Sequence, residues 1–151
     1  MQPDGQLQYD NTLDISNLYG PMTYAGLEID DPRMVSTAKH IEKKLTNITP
    51  SGGVVRYEHD NYFLSKPKYT GNPWIVTTLW LAQYYVASGQ IDKATELKDW
   101  ALARELSSGI LGEQYDPEDA KNLSVTPLVW SHAELVNIIL SLDKAGLKPS
   151  A

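Results

Sequence analysis

Cysteine is absent from all 151 residues, so disulfides and thiolate metal sites are excluded and the chain carries no redox signature. No apolar run reaches the roughly 18 residues of a membrane span, and residues 1–11 are too polar for a secretory leader. The expectation is a soluble chain, with the cytoplasm slightly favoured. Clustered Lys and Arg are missing as well, and 13 basic against 19 acidic residues leave a net charge of −6. Nucleic acids and anionic membranes are therefore poor partners. Neither G-x-G-x-x-G nor G-x-x-x-x-G-K-[ST] occurs, and no serine lies in a nucleophile elbow. His40, His59 and His132 are scattered without His-x-x-x-His spacing, so neither a metal nor a cofactor is expected.

Phenylalanine occurs once, against four tryptophans and nine tyrosines. Aromatic rings with a polar edge suit sugar-stacking surfaces and also ordinary buried positions. With 42% hydrophobic and 21% charged residues, the composition is that of one globular domain. Residues 1–10 are polar and read as a frayed segment, residues 11–145 as the folded part, and 146–151 as a tail.

Five helical patterns follow one another. The first opens at Asn11, carries Ile15, Leu18, Tyr19 and Met22 on one side, and is kinked or cut short by Pro21. Asp31-Pro32 caps the second, whose Met34, Ala38, Ile41 and Leu45 share a face opposite a charged one. Asn72-Pro73 opens the third, 73–88, which is apolar nearly all round and ends at Ser88-Gly89. The fourth, about 91–107, is again amphipathic. In the fifth, Trp130 to Leu142, Ser131-His132-Ala133-Glu134 reads as a capping box. Buried and half-exposed helices thus alternate, as in a double layer of antiparallel helices. Two long loops, 46–71 and 108–129, each run from a half-exposed helix to a buried one and should share one rim. Val54-Val55 is the one short strand signal, and no sequence repeat is evident.

Glu113 lies in the second loop, within Gly109-Ile110-Leu111-Gly112-Glu113-Gln114-Tyr115-Asp116. A carboxylate on a glycine-flanked turn, beside an amide and a tyrosine, suits general-base chemistry on a sugar or polyol. The plainer reading is a helix end followed by an acidic loop. Residue spacing alone leaves both open.

Four segments occur in order: Gly52-Gly53-Val54-Val55-Arg56-Tyr57-Glu58-His59-Asp60-Asn61-Tyr62, Gly71-Asn72-Pro73-Trp74, Gly112-Glu113-Gln114-Tyr115-Asp116 and Trp130-Ser131-His132-Ala133. Together they resemble the second half of the catalytic domain of glycoside hydrolase family 15, the glucoamylases, glucodextranases and related trehalases. Leu13-Asp14-Ile15-Ser16 and Asp31-Pro32-Arg33 are weaker signposts, and the resemblance spans about residues 10–142. It implies an all-α fold, part of an (α/α)6 toroid with about five helices in alternating inner and outer layers. It also implies exo-acting hydrolysis of α-glucosidic bonds with inversion, by two carboxyl groups roughly 6.5–9.5 Å apart. On this resemblance Glu113 is the general base, with Gln114 and Tyr115 holding its loop. Arg56 binds sugar hydroxyls, or else is tied up in an ion pair with Glu58 or Asp60. Tyr57, Trp74 and Trp130 line the pocket, although the two tryptophans also suit core positions. Asp60 and Tyr62 brace Arg56, His132 serves packing or a supporting hydrogen bond, and Trp80 and Trp100 belong to the core.

One departure matters. The family's general acid is a glutamate beside a tryptophan, and Trp74, Trp80, Trp100 and Trp130 are followed by Ile, Leu, Ala and Ser. Five helical patterns are also fewer than half of a complete double ring. The chain is therefore expected to carry the base without the acid, and to be inactive alone on its oligosaccharide substrate. The rival reading is a non-catalytic helical module that binds sugar weakly or joins a partner. An arc of a toroid leaves apolar helix faces uncovered, so self-association is also expected.

Overall fold

The computed structural model describes residues 10–146. The frayed start and the tail expected from the sequence lie, except for Asp10 and Gly146, outside the described residues. Five helices and one two-stranded ribbon form an all-α arc. They are α1 (Ser16–Tyr24), α2 (Pro32–Lys44), β1 (Val54–Val55), β2 (Pro73–Trp74), α3 (Ile75–Ala87), α4 (Ile91–Leu102) and α5 (Val129–Gly146).

The first helix begins at Ser16 rather than Asn11 because the preceding backbone is taken by a tertiary pairing. Ile15 N–H donates to Arg56 O at 3.1 Å and Glu58 N–H to Leu13 O at 3.0 Å. Pro21 sits inside α1 without ending it, and Leu18 and Tyr19 point into the core. The second helix starts as its sequence predicts: Asp31 accepts the Arg33 N–H at 2.8 Å ahead of Pro32. Met34, Ala38 and Ile41 are its buried face, and Lys43 and Lys44 suit the negative end of its dipole.

The third helix is the hub, packed against α1, α4, α5 and both strands. Ten of its thirteen residues are buried. Here Asn72-Pro73 does not act as a cap. Pro73 and Trp74 pair antiparallel with Val55 and Val54, which delays the helix to Ile75. Thr78 then joins the strand to the helix, accepting from Val54 N–H at 2.9 Å and donating to Trp74 O at 2.6 Å. Thr77 donates to Val54 O at 2.7 Å.

The fourth helix buries Ala94, Leu97 and Ala101 and stops at Leu102, about a turn before its expected end, in a run of reverse turns. Trp100 on this helix supports the first long loop. Its indole N–H donates to Ser51 O at 2.8 Å, and the Arg104 guanidinium lies 3.7 Å over its ring. Gly53 fits there only because it lacks a side chain: its φ is +78°, and a Cβ would fall 2.3 Å from the Trp100 ring.

The capping box at the start of α5 does not form. The helix begins at Val129, so Ser131 is already inside it and donates to Gly112 O at 2.8 Å, while Glu134 turns into the core. Nor is this helix covered as its apolar composition predicts, since Val129, Val136, Ile139 and Leu140 are exposed.

Candidate functional site

The two long loops meet at one rim, where α3 and α5 begin. Ser51 N–H donates to Pro117 O at 2.9 Å, the Asn72 amide donates to Gln114 Oε1 at 2.8 Å, and Lys68 pairs with Glu118. The backbone knits them further. Trp74 pairs with Val54 on one side and bridges to Gln114 on the other. Ile75 N–H donates to Glu113 O at 3.1 Å, and Tyr115 N–H to Pro73 O at 3.0 Å. Next comes the chain beyond the turn, where Glu113 N–H reaches Val125 O at 3.0 Å and Leu128 N–H reaches Leu111 O at 3.0 Å. Across the rim the order is thus β1 with Arg56, then β2 with Trp74, then Glu113-Gln114, then the approach to α5 with Trp130.

Arg56, Tyr57, Asp60 and Trp74 form one cluster, joined by Tyr62. The arginine donates to both oxygens of buried Asp60, Nε at 2.9 Å and Nη2 at 2.8 Å, and Nη2 also reaches Tyr57 Oη at 3.3 Å. Its guanidinium lies 4.3 Å over Trp74, 4.8 Å over Tyr57 and 5.2 Å over Tyr62. Burial works against its charge, and Asp60 outweighs burial, so the pKa is held above the ordinary arginine value. The ion pair weighed for Arg56 therefore exists, with Asp60 rather than Glu58, which pairs with Lys44. It does not consume the fork: the Nη1 N–H groups meet no protein acceptor among the described residues. Trp74 itself is buried beneath the guanidinium.

Glu113 is half-buried on its turn. Ser124 Oγ donates to its Oε2 at 2.8 Å and Gln114 Nε2 approaches the same oxygen at 3.4 Å, leaving Oε1 without a partner among the described residues. Gly112 permits the turn, because a Cβ there would fall within 2.8 Å of Asn122 and Thr126 side-chain atoms. His132 Nε2 accepts the Leu111 N–H at 3.1 Å, just upstream. Trp130 stands apart from Trp74 and packs edge-on against Trp80 at 5.3 Å. Ser124, the Asn72 bond to Gln114 and the Gly53–Trp100 contact were not read from the sequence. Each depends on a partner far along the chain, and no local pattern marks them. Among the described residues no group of three or more His, Asp or Glu side chains is arranged to hold a metal ion.

This rim offers a carboxylate with one open oxygen, an arginine with one open nitrogen and several aromatic rings. Such a set can bind hydroxyls and take a proton from water.

The sequence model for Glycosyl hydrolases family 15 matches residues 1–108. An uncharacterized glycosyl hydrolase of Methanocaldococcus jannaschii is 33% identical over 148 residues, covering 89% of this chain and 23% of that protein. Trehalase 1 of Sulfolobus acidocaldarius is 31% identical over 126 residues, covering 83% of this chain and 21% of its own. Among solved structures, a bacterial glucoamylase complexed with acarbose superimposes with a TM-score of 0.77 at 25% identity, over 89% of this chain and 21% of that one. A wild-type glycosidase gives 0.73 at 24%, over 93% and 38%. The chain thus spans less than a quarter of the length of these curated relatives.

Proposed function

The chain belongs to glycosyl hydrolase family 15, and on that premise we propose that it supplies the general base and one wall of the sugar site of an inverting α-glucosidase. The observation that carries this reading is the continuous pairing β1–β2–Gln114, which puts Arg56 and Glu113 on either side of Trp74 at one rim. Glu113 Oε1 takes a proton from a water held between it and the sugar. The water oxygen bonds to the anomeric carbon from the face opposite the leaving group, and the glycosidic C–O bond breaks. The departing oxygen takes its proton from a carboxylic acid outside this chain. Arg56 Nη1 donates to sugar hydroxyls, with Asp60 fixing the plane of the fork. Tyr57, Trp74 and Trp130 form the walls, and Gln114 and Tyr115 hold the base. The oligosaccharide is the partner, and no cofactor takes part.

Without the acid the leaving group departs as an alkoxide, a loss of about 10²–10⁴ in rate. Alone, the chain is inactive. The test joins it to the part of the toroid that carries the acid and measures turnover of maltooligosaccharides. Glu113→Gln should lower turnover by about 10²–10⁴ with binding largely retained. Unchanged turnover removes Glu113 from the role, and hydrolysis by the unassisted chain removes the half-site reading.

A second reading, association with a partner, is favoured by one feature. The apolar residues exposed along α5 are available for burial against another chain, including a second copy of this one.

A further inference from the structure

Four donors from three helices converge on one buried carboxylate. Glu134, on α5 and 4% exposed, accepts at Oε1 from Trp130 Nε1 at 3.2 Å and from Tyr19 Oη of α1 at 3.3 Å. Its Oε2 accepts from Gln83 Nε2 of α3 at 2.5 Å and from Asn137 Nδ2 at 3.5 Å. No Lys, Arg or His pairs with it among the described residues. Burying a carboxylate among helices is costly, and an apolar side chain of similar size would pack there without that cost. The carboxylate therefore needs a reason beyond filling space.

Trp130 supplies one. The residue is 51% exposed, beside Ser131, which donates to the carbonyl of Gly112. A large half-exposed side chain at a helix start would ordinarily choose among rotamers. Here a closed circuit removes the choice. Glu134 holds the indole N–H of Trp130, whose ring packs on Trp80 at 5.3 Å and 64°. Trp80 stacks on Tyr19 at 4.4 Å and 9°, and Tyr19 returns to Glu134. The ring's one polar atom is spent on the protein, while about half of the residue stays exposed.

We propose that Glu134 is a positioning residue that locks Trp130 as an apolar platform at the sugar rim, receiving a pyranose by its C–H face and donating no hydrogen bond. The ligand class is a sugar with a flat, C–H-bearing face, as in a glucopyranose with equatorial hydroxyls. This rests on the sugar-site reading above, and the experiment separates the two.

In the ¹⁵N-labelled 151-residue chain, Trp130→Phe identifies the Trp130 indole proton. Its exchange with solvent should be at least about tenfold slower than that of a freely hydrated indole. In Glu134→Leu that protection should fall about tenfold, because the acceptor of the Trp130 N–H is removed. The Trp100 proton, hydrogen-bonded to Ser51 elsewhere in the fold, should not change. A helix clamp alone would lower overall stability without moving the Trp130 proton relative to that of Trp100. An unprotected Trp130 proton in the unsubstituted chain overturns the proposal even if the variant does not fold. On adding maltose to the chain joined to the part of the toroid that carries the acid, with Glu113→Gln to prevent turnover, the carbon-bound ring protons of Trp130 should shift while its N–H stays protected. Loss of N–H protection on binding overturns the platform. If neither signal responds, the sugar-site reading fails and the platform with it, while the exchange rates still decide whether Glu134 holds the ring.

Discussion

Tyr115 Oη accepts the Gly112 N–H at 3.0 Å and donates to Arg104 O at 3.0 Å, so one phenol ties the turn that carries Glu113 to the end of α4. The side chain is fully buried, and burial first, against the Gly112 bond, pushes its pKa up. Tyr115→Phe would strand a buried N–H and a carbonyl together, at a cost of about 1–3 kcal/mol. The urea midpoint should drop accordingly with an unchanged slope, and an unmoved midpoint would mean that neither bond matters. Glu113, Arg56 and Tyr115 could be singled out in the sequence because they stand in short segments with a recognisable order. Ser124 could not, although it touches Glu113 directly, and Asn72, inside one of those segments, was read as a helix start rather than as a donor to Gln114. A serine eleven positions from the carboxylate it serves has no local signature; only the folded turn brings them together.

At the scale of elements, the buried third helix between half-exposed neighbours was readable from periodicity, and so was the Asp31-Pro32 start of α2, whereas the expected burial of α5 was not met. The three helix starts that were misread share one cause. Ile15, Pro73 and Ser131 have their hydrogen-bonding groups taken by distant partners, so local capping rules lost to tertiary ones. Helix α1 shows how strongly an element depends on such contacts. Its Tyr19 is packed between Trp80 and Glu134, and burial, followed by the nearby Glu134 charge, raises its pKa to about 12. An unfolded tyrosine ionises near 10. The folded state therefore favours the neutral phenol, and this stabilisation is complete below about pH 10 and lost as pH rises through 12. Tyr84, Tyr85 and Tyr115 are shifted the same way, so the decline in alkali is collective. Urea midpoints should fall between pH 10 and 12, with part of that slope removed in Tyr19→Phe. A flat profile across this interval would contradict the burial of these phenols.

The molecule as a whole has an uneven surface. Net charge is −6, yet Val129, Val136 and Leu140 fall on one side of α5 with Ile139 beside them, and Val129 and Val136 are 79% and 55% exposed. The composition of α5 predicts an inner helix, and nothing among the described residues covers that side. Two such ridges laid together would hide apolar surface from water, opposed by repulsion between two like-charged copies. Apparent mass should therefore rise with protein concentration, and rise further with salt, which screens the repulsion and leaves the apolar term intact. Substituting a ridge residue separates the two forces. Val136→Lys makes the chain less negative and weakens the repulsion, but it also removes an apolar contact from each copy. Loss of about 1.5 kcal/mol or more per copy should weaken a symmetric pair about a hundredfold. If the ridge drives association, this variant disperses despite its reduced charge. If charge alone governs, it associates more strongly than the parent. Sedimentation across a hundredfold concentration range distinguishes these outcomes, and a parent chain that stays monomeric throughout leaves the ridge free for a different chain.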